Sequence, residues 1–389
     1  MVSKFRVTSP VQCNQASERF DTIVLRWLSD LTAATPFSAW TRSLISLDKK
    51  LGGLGLPSAT VNKYPAYIAS FLQCRSELIK LGYPRLPDPA NLQVIVQLLN
   101  TSLSSNDKLP LNLEGAPTKQ RALTKLVSKA TLERLLDTAP TSVDKATLIA
   151  HSAPKASAYL NIIPTGPLDN TKDLKFSNSV MHTLLCTRLH LNVYDEQTLC
   201  PLCERRQLDR RGIHALACMS DGTKLSQHNQ FAKFLTNEAR AAGYTAKCEV
   251  SNLTISPHTQ MRPADLKIDH FTPDINLAVD VTSWTPICPT NLADTLTNGP
   301  LATAEEAYQE KVTKYTALLL PGIELQPIVF LSTGGCHPSV IDFAKKLARR
   351  SCHSRRIHAD LNCKNIMDSL MFITAKSSAN AILSRAPKI

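Results

Sequence analysis

Four residues with metal-binding side chains fall within 19 positions: Cys200, Cys203, His214 and Cys218. They constrain the chain more than any other feature, because ligands to one ion must converge whatever the loop between them does. Cys200-Pro201-Leu202-Cys203 reads as a knuckle that turns two thiolates to one side. His214 and Cys218, four positions apart, supply two further donors from one helical turn. Three thiolates and an imidazole are the complement of a structural zinc site. The competing reading is buried free thiols beside a surface histidine, since cysteine is often buried with no ligand role. Between the two pairs, Arg205, Arg206, Arg210 and Arg211 stand against Glu204 and Asp209. That loop suits either a phosphate-facing surface or an ordinary solvated one.

The 11 cysteines are odd in number and, outside this group, irregularly scattered. Metal rather than disulfide bonding therefore explains the group, and a reducing compartment, cytosol or nucleus, is expected. Residues 1–8 contain no apolar run of signal-peptide type, and no stretch of about 18 uncharged apolar residues exists to cross a bilayer. Lys and Arg outnumber Asp and Glu by 44 to 32, a formal charge of +12 that favours a polyanionic partner. At 389 residues the chain exceeds what one core usually covers, so two or three domains are expected.

The first half reads as helical and basic. Residues 19–46 carry Ile23, Leu25, Leu28 and Leu31 at helical spacing, with Pro36 as an interruption. Leu51-Gly52-Gly53-Leu54-Gly55-Leu56-Pro57 is a turn whose glycines permit positive φ or close backbone approach. It is not a phosphate loop, because no Gly-Lys-Ser/Thr follows. Ser58 suits the N-cap of the next helix. Further helical patterns span about 89–104 and 118–137, the second lined by Lys119, Arg121, Lys125, Lys129 and Arg134. Residues 152–173, rich in Pro, Ser and Asn, read as a connector.

Past the cysteine group the order is helix (228–243), three strand-like runs (244–250, 263–268, 277–282), helix (303–320) and strand (325–331). Asp265 and Asp280 fall in adjacent strands, where their side chains can converge to hold Mg²⁺. Glu249, ending the first strand, is a possible third carboxylate. Lys311, Lys314 and Tyr315 share a helix face at i, i+3, i+4. Phosphodiester hydrolysis needs a cation to polarise the phosphate, an activated water, and positive charge on the developing oxyanion. The two Asp residues would hold the cation, and Lys311 or Lys314 would activate water or stabilise charge. Tyr315 would contact the backbone or orient a lysine. The plain alternative is strand-end acids and a solvated helix on which Glu306 and Glu310 pair with lysines.

The ordered set resembles the C-terminal part of non-long-terminal-repeat retrotransposon polyproteins with a restriction-like endonuclease. The resemblance rests on Gly52-Gly53-Leu54-Gly55-Leu56, on the Cys-Cys-His-Cys group with Gly212-Ile213-His214-Ala215-Leu216-Ala217-Cys218, on Arg262-Pro263-Ala264-Asp265 with Ala278-Val279-Asp280-Val281-Thr282, and on Lys311-Val312-Thr313-Lys314-Tyr315. It covers roughly residue 20 to the end and is strongest over 200–331. It implies a thumb-like helical region after a polymerase core, a zinc knuckle that engages nucleic acid, and a nuclease similar to the PD-(D/E)xK superfamily. Such a nuclease nicks target DNA so that the 3′ end primes reverse transcription. The resemblance further implies DNA, and possibly the element's RNA, as partners, and the nucleus as the working compartment. Two departures stand out. Ala264 separates Pro263 from Asp265, and Thr282 occupies the position of the superfamily's lysine, which the resemblance moves to Lys311 or Lys314. No paired-Asp polymerase motif occurs, so the reverse transcriptase is expected to be separate or lost, and the chain to be a fragment, a truncated copy or a domesticated derivative.

Residues 343–358 hold Lys345, Lys346, Arg349, Arg350, Arg355 and Arg356 without an acidic residue, a helix suited to nucleic-acid backbone or simply to solvent. A closing helix follows. The expected chain is α+β: helical 1–150, connector 151–199, zinc knuckle 200–226, restriction-endonuclease-like α/β core 227–335, and basic helices 336–389. The expected activity is Mg²⁺-dependent DNA nicking, with Arg262 and the arginines and lysines above on the nucleic acid. The alternative is a nucleic-acid-binding remnant or domesticated protein whose nuclease is inactive.

Overall fold

A computed structural model describes residues 6, 8–82, 91–162, 174–220, 222–251, 253–255 and 263–386. Arg262 and residues 163–173 of the expected connector lie outside them. The chain is α+β and divides into two compact units, Met1–Pro140 and Thr141–Ile389. The division falls at 140 rather than 150, because the next helix and residues 174–199 pack into the second unit.

The first unit is helical: α1 (Asn14–Thr32), α2 (Ala39–Ser46), α3 (Ala59–Lys80), α4 (Leu92–Asn100) and α5 (Gln120–Asp137). Its core joins Ile68, Leu72, Ile95, Leu99, Leu123 and Val127. Ser58 caps α3 by accepting from the Val61 N–H, and the Asp21 carboxylate accepts from the N–H groups of Ala59 and Thr60. The expected apolar face of α1 differs: Leu28 is buried, whereas Ile23 and Leu31 are exposed. The glycine turn folds back on α2, with Leu54, Gly55 and Leu56 N–H groups donating to Leu44, Leu47 and Ile45 carbonyls. A Cβ at Gly53 would stand 2.1 Å from the Leu47 oxygen, so this position admits only glycine without a shift of backbone.

The second unit holds α6 (Ser142–His151), α7 (Asn178–Arg188), α8 (Ile213–Ala217), α9 (Thr223–Ala241), α10 (Leu292–Asn298), α11 (Ala302–Tyr315), α12 (Pro338–Arg355) and α13 (Ala359–Leu383). Strands β1 (Thr245–Cys248), β2 (Leu266–Thr272), β3 (Ile275–Trp284) and β4 (Ile323–Leu331) form one sheet in sequence order. The first three strands pair antiparallel, and β4 joins β3 in parallel. That parallel pair requires a crossover, which α10 and α11 supply.

Alternation along the strands decides which helices cover which face. Leu266, Ile268, Val279, Val281, Ile328 and Phe330 pack with α9, α12 and α13, and Phe231 stacks on Phe330 at 4.0 Å. On the other face Val329 and Leu331 pack with Ala304 and Ala307 of α11. Thr282 of β3 pairs with Val329, so Asp280, two residues earlier on the strand, also looks toward α11.

Candidate functional site

Asp280 is an acid in the middle of a buried strand, with only 5% of its surface exposed. Lys311 of α11 reaches it: Nζ donates to Oδ1 at 3.3 Å and lies 3.0 Å from Oδ2. Oδ2 is buried and accepts no hydrogen bond. Burial, then the charge of Asp265, push the Asp280 carboxyl up to about 6 against the attraction of Lys311 and His228. Burial lowers the Lys311 ammonium, but the charge and hydrogen bond of Asp280 outweigh it, and Tyr315 and Asp265 add to the net upward shift.

Asp265 stands just ahead of β2. Its Oδ2 accepts the Val281 N–H at 2.6 Å, which ties it to the residue after Asp280. Its Oδ1 lies 2.9 Å from His228 Nε2, offered by α9. The hydrogen bond to Asp265 raises the histidine above its ordinary value, against burial. His228 has no motif in the sequence; it joins the acids only because α9 packs against the sheet. The site thus gathers two carboxylates, an ammonium and an imidazole from α9, β3, α11 and the segment before β2.

The other candidates sort by geometry. Lys314 is exposed and lies 5.1 Å from the ring centroid of Tyr315, turned away from the acids. Tyr315 is buried and carries Lys311 over the same ring at 5.5 Å, so it supports the lysine from below. Glu249 is exposed, and its backbone N–H donates to the Asp265 carbonyl. It does not complete a three-ligand metal group with the two Asp residues: among the described residues the cysteine–histidine cluster is the one such group. The acid pair itself fits a hard cation on the chemistry of its donors. Two carboxylates lie close enough for the charge of Asp265 to act on Asp280, and waters would complete the shell of a bound ion.

At the knuckle, one donor atom each from Cys200, Cys203, His214 and Cys218 all lie within 4.8 Å of one another, an arrangement that could hold a metal ion. Ligand atoms around a tetrahedral zinc sit roughly 3.8 Å apart, so the set fits. The sequence builds it locally. Leu199 bridges Gln207, the Glu204 N–H donates to the Cys200 carbonyl, and Gly212 takes φ 74° to start α8. The Asp209 carboxylate accepts from the N–H groups of Arg211, Ile213 and His214, which fixes the turn presenting the imidazole.

Several expected nucleic-acid contacts have partners within the chain. Arg211 Nη1 lies 3.0 Å from the carboxylate of Asp144, a buried acid of α6 that also meets His190. Arg350 donates to the Ala242 carbonyl and stacks 4.0 Å above the Tyr244 ring. Lys345 pairs with Asp342, and Lys346 lies over Phe271. Arg205, Arg206, Arg210 and Arg349 are exposed.

No protein-family model matches the chain, and no curated protein matches it. No helix among the described residues is long and apolar enough to cross a membrane.

Proposed function

We propose that this protein is a metal-dependent DNA endonuclease of the restriction-like type, with a structural zinc in the Cys200–Cys203–His214–Cys218 cluster. The observation that carries the reading is the convergence of Asp265, Asp280 and Lys311, with Asp280 buried and ion-paired to the lysine. The same residues carry the resemblance to the nucleases of non-long-terminal-repeat retrotransposons. Asp265 and Asp280 would hold Mg²⁺, which polarises a phosphate and makes a bound water more acidic.

The chain's own groups account for the remaining tasks. His228 and the Val281 N–H fix the Asp265 carboxylate from its two sides. Lys311, kept protonated by Asp280, serves as a positive charge for the developing phosphorane rather than as a base. Attack of water on phosphorus then breaks the P–O3′ bond and leaves a 3′ hydroxyl and a 5′ phosphate. On this reading Lys311 would serve for the superfamily's lysine, whose sequence position Thr282 occupies.

One observation favours the second reading, a binding protein without cleavage: both carboxylates are already engaged, by His228 and by Lys311. Supercoiled plasmid incubated with the full chain in Mg²⁺ separates the two. Nicking by the parent and not by Asp265→Asn supports the nuclease. Binding with a steep salt slope and no nicking in Mg²⁺ or Mn²⁺ supports the remnant.

A further inference from the structure

A cavity of about 570 Å³ opens beside the acid pair, past the carboxyl end of β3. Its walls are α9 on one side and residues 281–285 on the other, with Ala217 and Met219, just after the knuckle, at one end. His228 belongs both to this cavity and to the acid site, and Val281, another wall residue, donates its N–H to Asp265. A phosphodiester at Asp265 and Asp280 therefore has its neighbouring nucleoside at the mouth of the cavity.

The lining has the character of a base pocket. Half-buried Trp284 offers flat apolar surface, the core residue Phe231 closes the floor, and Met219 and Leu225 are large apolar side chains left exposed at the rim. Into this lining comes Gln227, only 6% exposed, whose Nε2 is buried with no hydrogen-bond partner. A buried amide hydrogen without an acceptor costs stability unless a ligand supplies one. Glutamine's fork of donor and acceptor matches the edge of a nucleobase, above all adenine. The volume falls in the range of about 300–1,000 Å³ that takes small organic ligands.

Resting on the nuclease reading, we infer that this cavity receives one unpaired nucleobase of the strand being cut, read by Gln227. A base still paired in a duplex cannot enter, because both its faces are stacked and its edge is occupied. The preferred substrate is thus DNA with an unpaired or extruded nucleotide next to the scissile phosphate, with aromatic surface replacing the lost stacking.

Duplex oligonucleotides carrying a single unpaired adenine flanked by a 2-aminopurine reporter, mixed with the full chain in Ca²⁺, test the pocket without turnover. The expected result is a change in 2-aminopurine fluorescence and binding about tenfold tighter than to the paired duplex. Both effects should be lost in Gln227→Leu, which keeps the side chain's size and the helix, while affinity for paired DNA stays the same. In Mg²⁺ the unpaired duplexes should be nicked in the same order of preference. Equal binding of paired and unpaired duplexes by the parent, or a Gln227→Leu variant indistinguishable from it, overturns the pocket. Failure to nick any DNA counts against the nuclease reading alone, since the fluorescence and affinity in Ca²⁺ still decide the pocket.

Discussion

Lys311 Nζ lies 3.0 Å from Asp280 Oδ2, across a gap of 31 residues and from within the crossover that links β3 to β4. The pair couples the acid's charge state to folding and, on the proposed nuclease reading, to catalysis.

Asp280 should make stability and activity respond oppositely to pH. Its folded-state pKa, raised by burial to about 6, lies above its ordinary value of 3.8. The group's stabilising contribution is therefore whole below about pH 3.8 and lost as pH rises through about 6. Asp280→Asn, which mimics the protonated form, is expected to melt higher than the parent at pH 8 in EDTA, by about 2 kcal/mol, with the gap closing near pH 4. Nicking by the parent in Mg²⁺ should fall below about pH 6, and the variant should lose at least about 100-fold at any pH.

His228 is a positioning residue for Asp265. His228→Ala should lower the nicking rate or the Mg²⁺ affinity by about tenfold or more while leaving the fold intact, since an outer partner of a metal ligand has that order of effect. Circular dichroism and a Mg²⁺ titration check it. A variant with parental Mg²⁺ dependence would show that the Val281 N–H alone holds the carboxylate.

Removing metal from the knuckle should loosen the second unit. Treatment with a strong chelator, or Cys203→Ser, is expected to release one equivalent of zinc and lower the melting temperature of that unit, because binding energy at such a site is folding energy. Elemental analysis with a melting curve measures both.

Neighbouring arginines of α12 should behave differently. Arg350→Ala removes the stacking on Tyr244 and the bond to the Ala242 carbonyl, and should cost about 1 kcal/mol of stability. Arg349→Ala should leave stability alone and, if the helix meets phosphate, weaken DNA binding while reducing the salt slope by about one. Fluorescence anisotropy across a salt series distinguishes them.

Gly53→Ala should destabilise the first unit by about 2 kcal/mol or more, because the new methyl would collide with the Leu47 carbonyl and not with a side chain able to move. A denaturant titration of the parent and variant gives the difference.

What could be read from the sequence is what depends on neighbours along the chain. The cysteine–histidine cluster assembles from residues 200–218, so its spacing alone implied its convergence. The helix at Ser58, the glycine turn at 52–55 and the four strands follow from capping, backbone freedom and alternation, all local properties. Asp265 and Asp280 were legible as a pair because adjacent strands bring neighbouring positions together.

The tertiary structure decided everything that depends on which faces meet. Sequence spacing puts Lys311 and Lys314 on one helix face, but the packing of α11 on β3 and β4 turns only Lys311 to the acids and leaves Lys314 over Tyr315. His228 reaches Asp265, and Gln227 its cavity, because α9 lies against the sheet. Arg211 and Arg350 look like phosphate contacts in a basic chain, yet a buried Asp144 and the Tyr244 ring claim them. A charge in a sequence states its sign and not its partner. The partner is fixed only when burial removes water and leaves the charge to find the one group within reach.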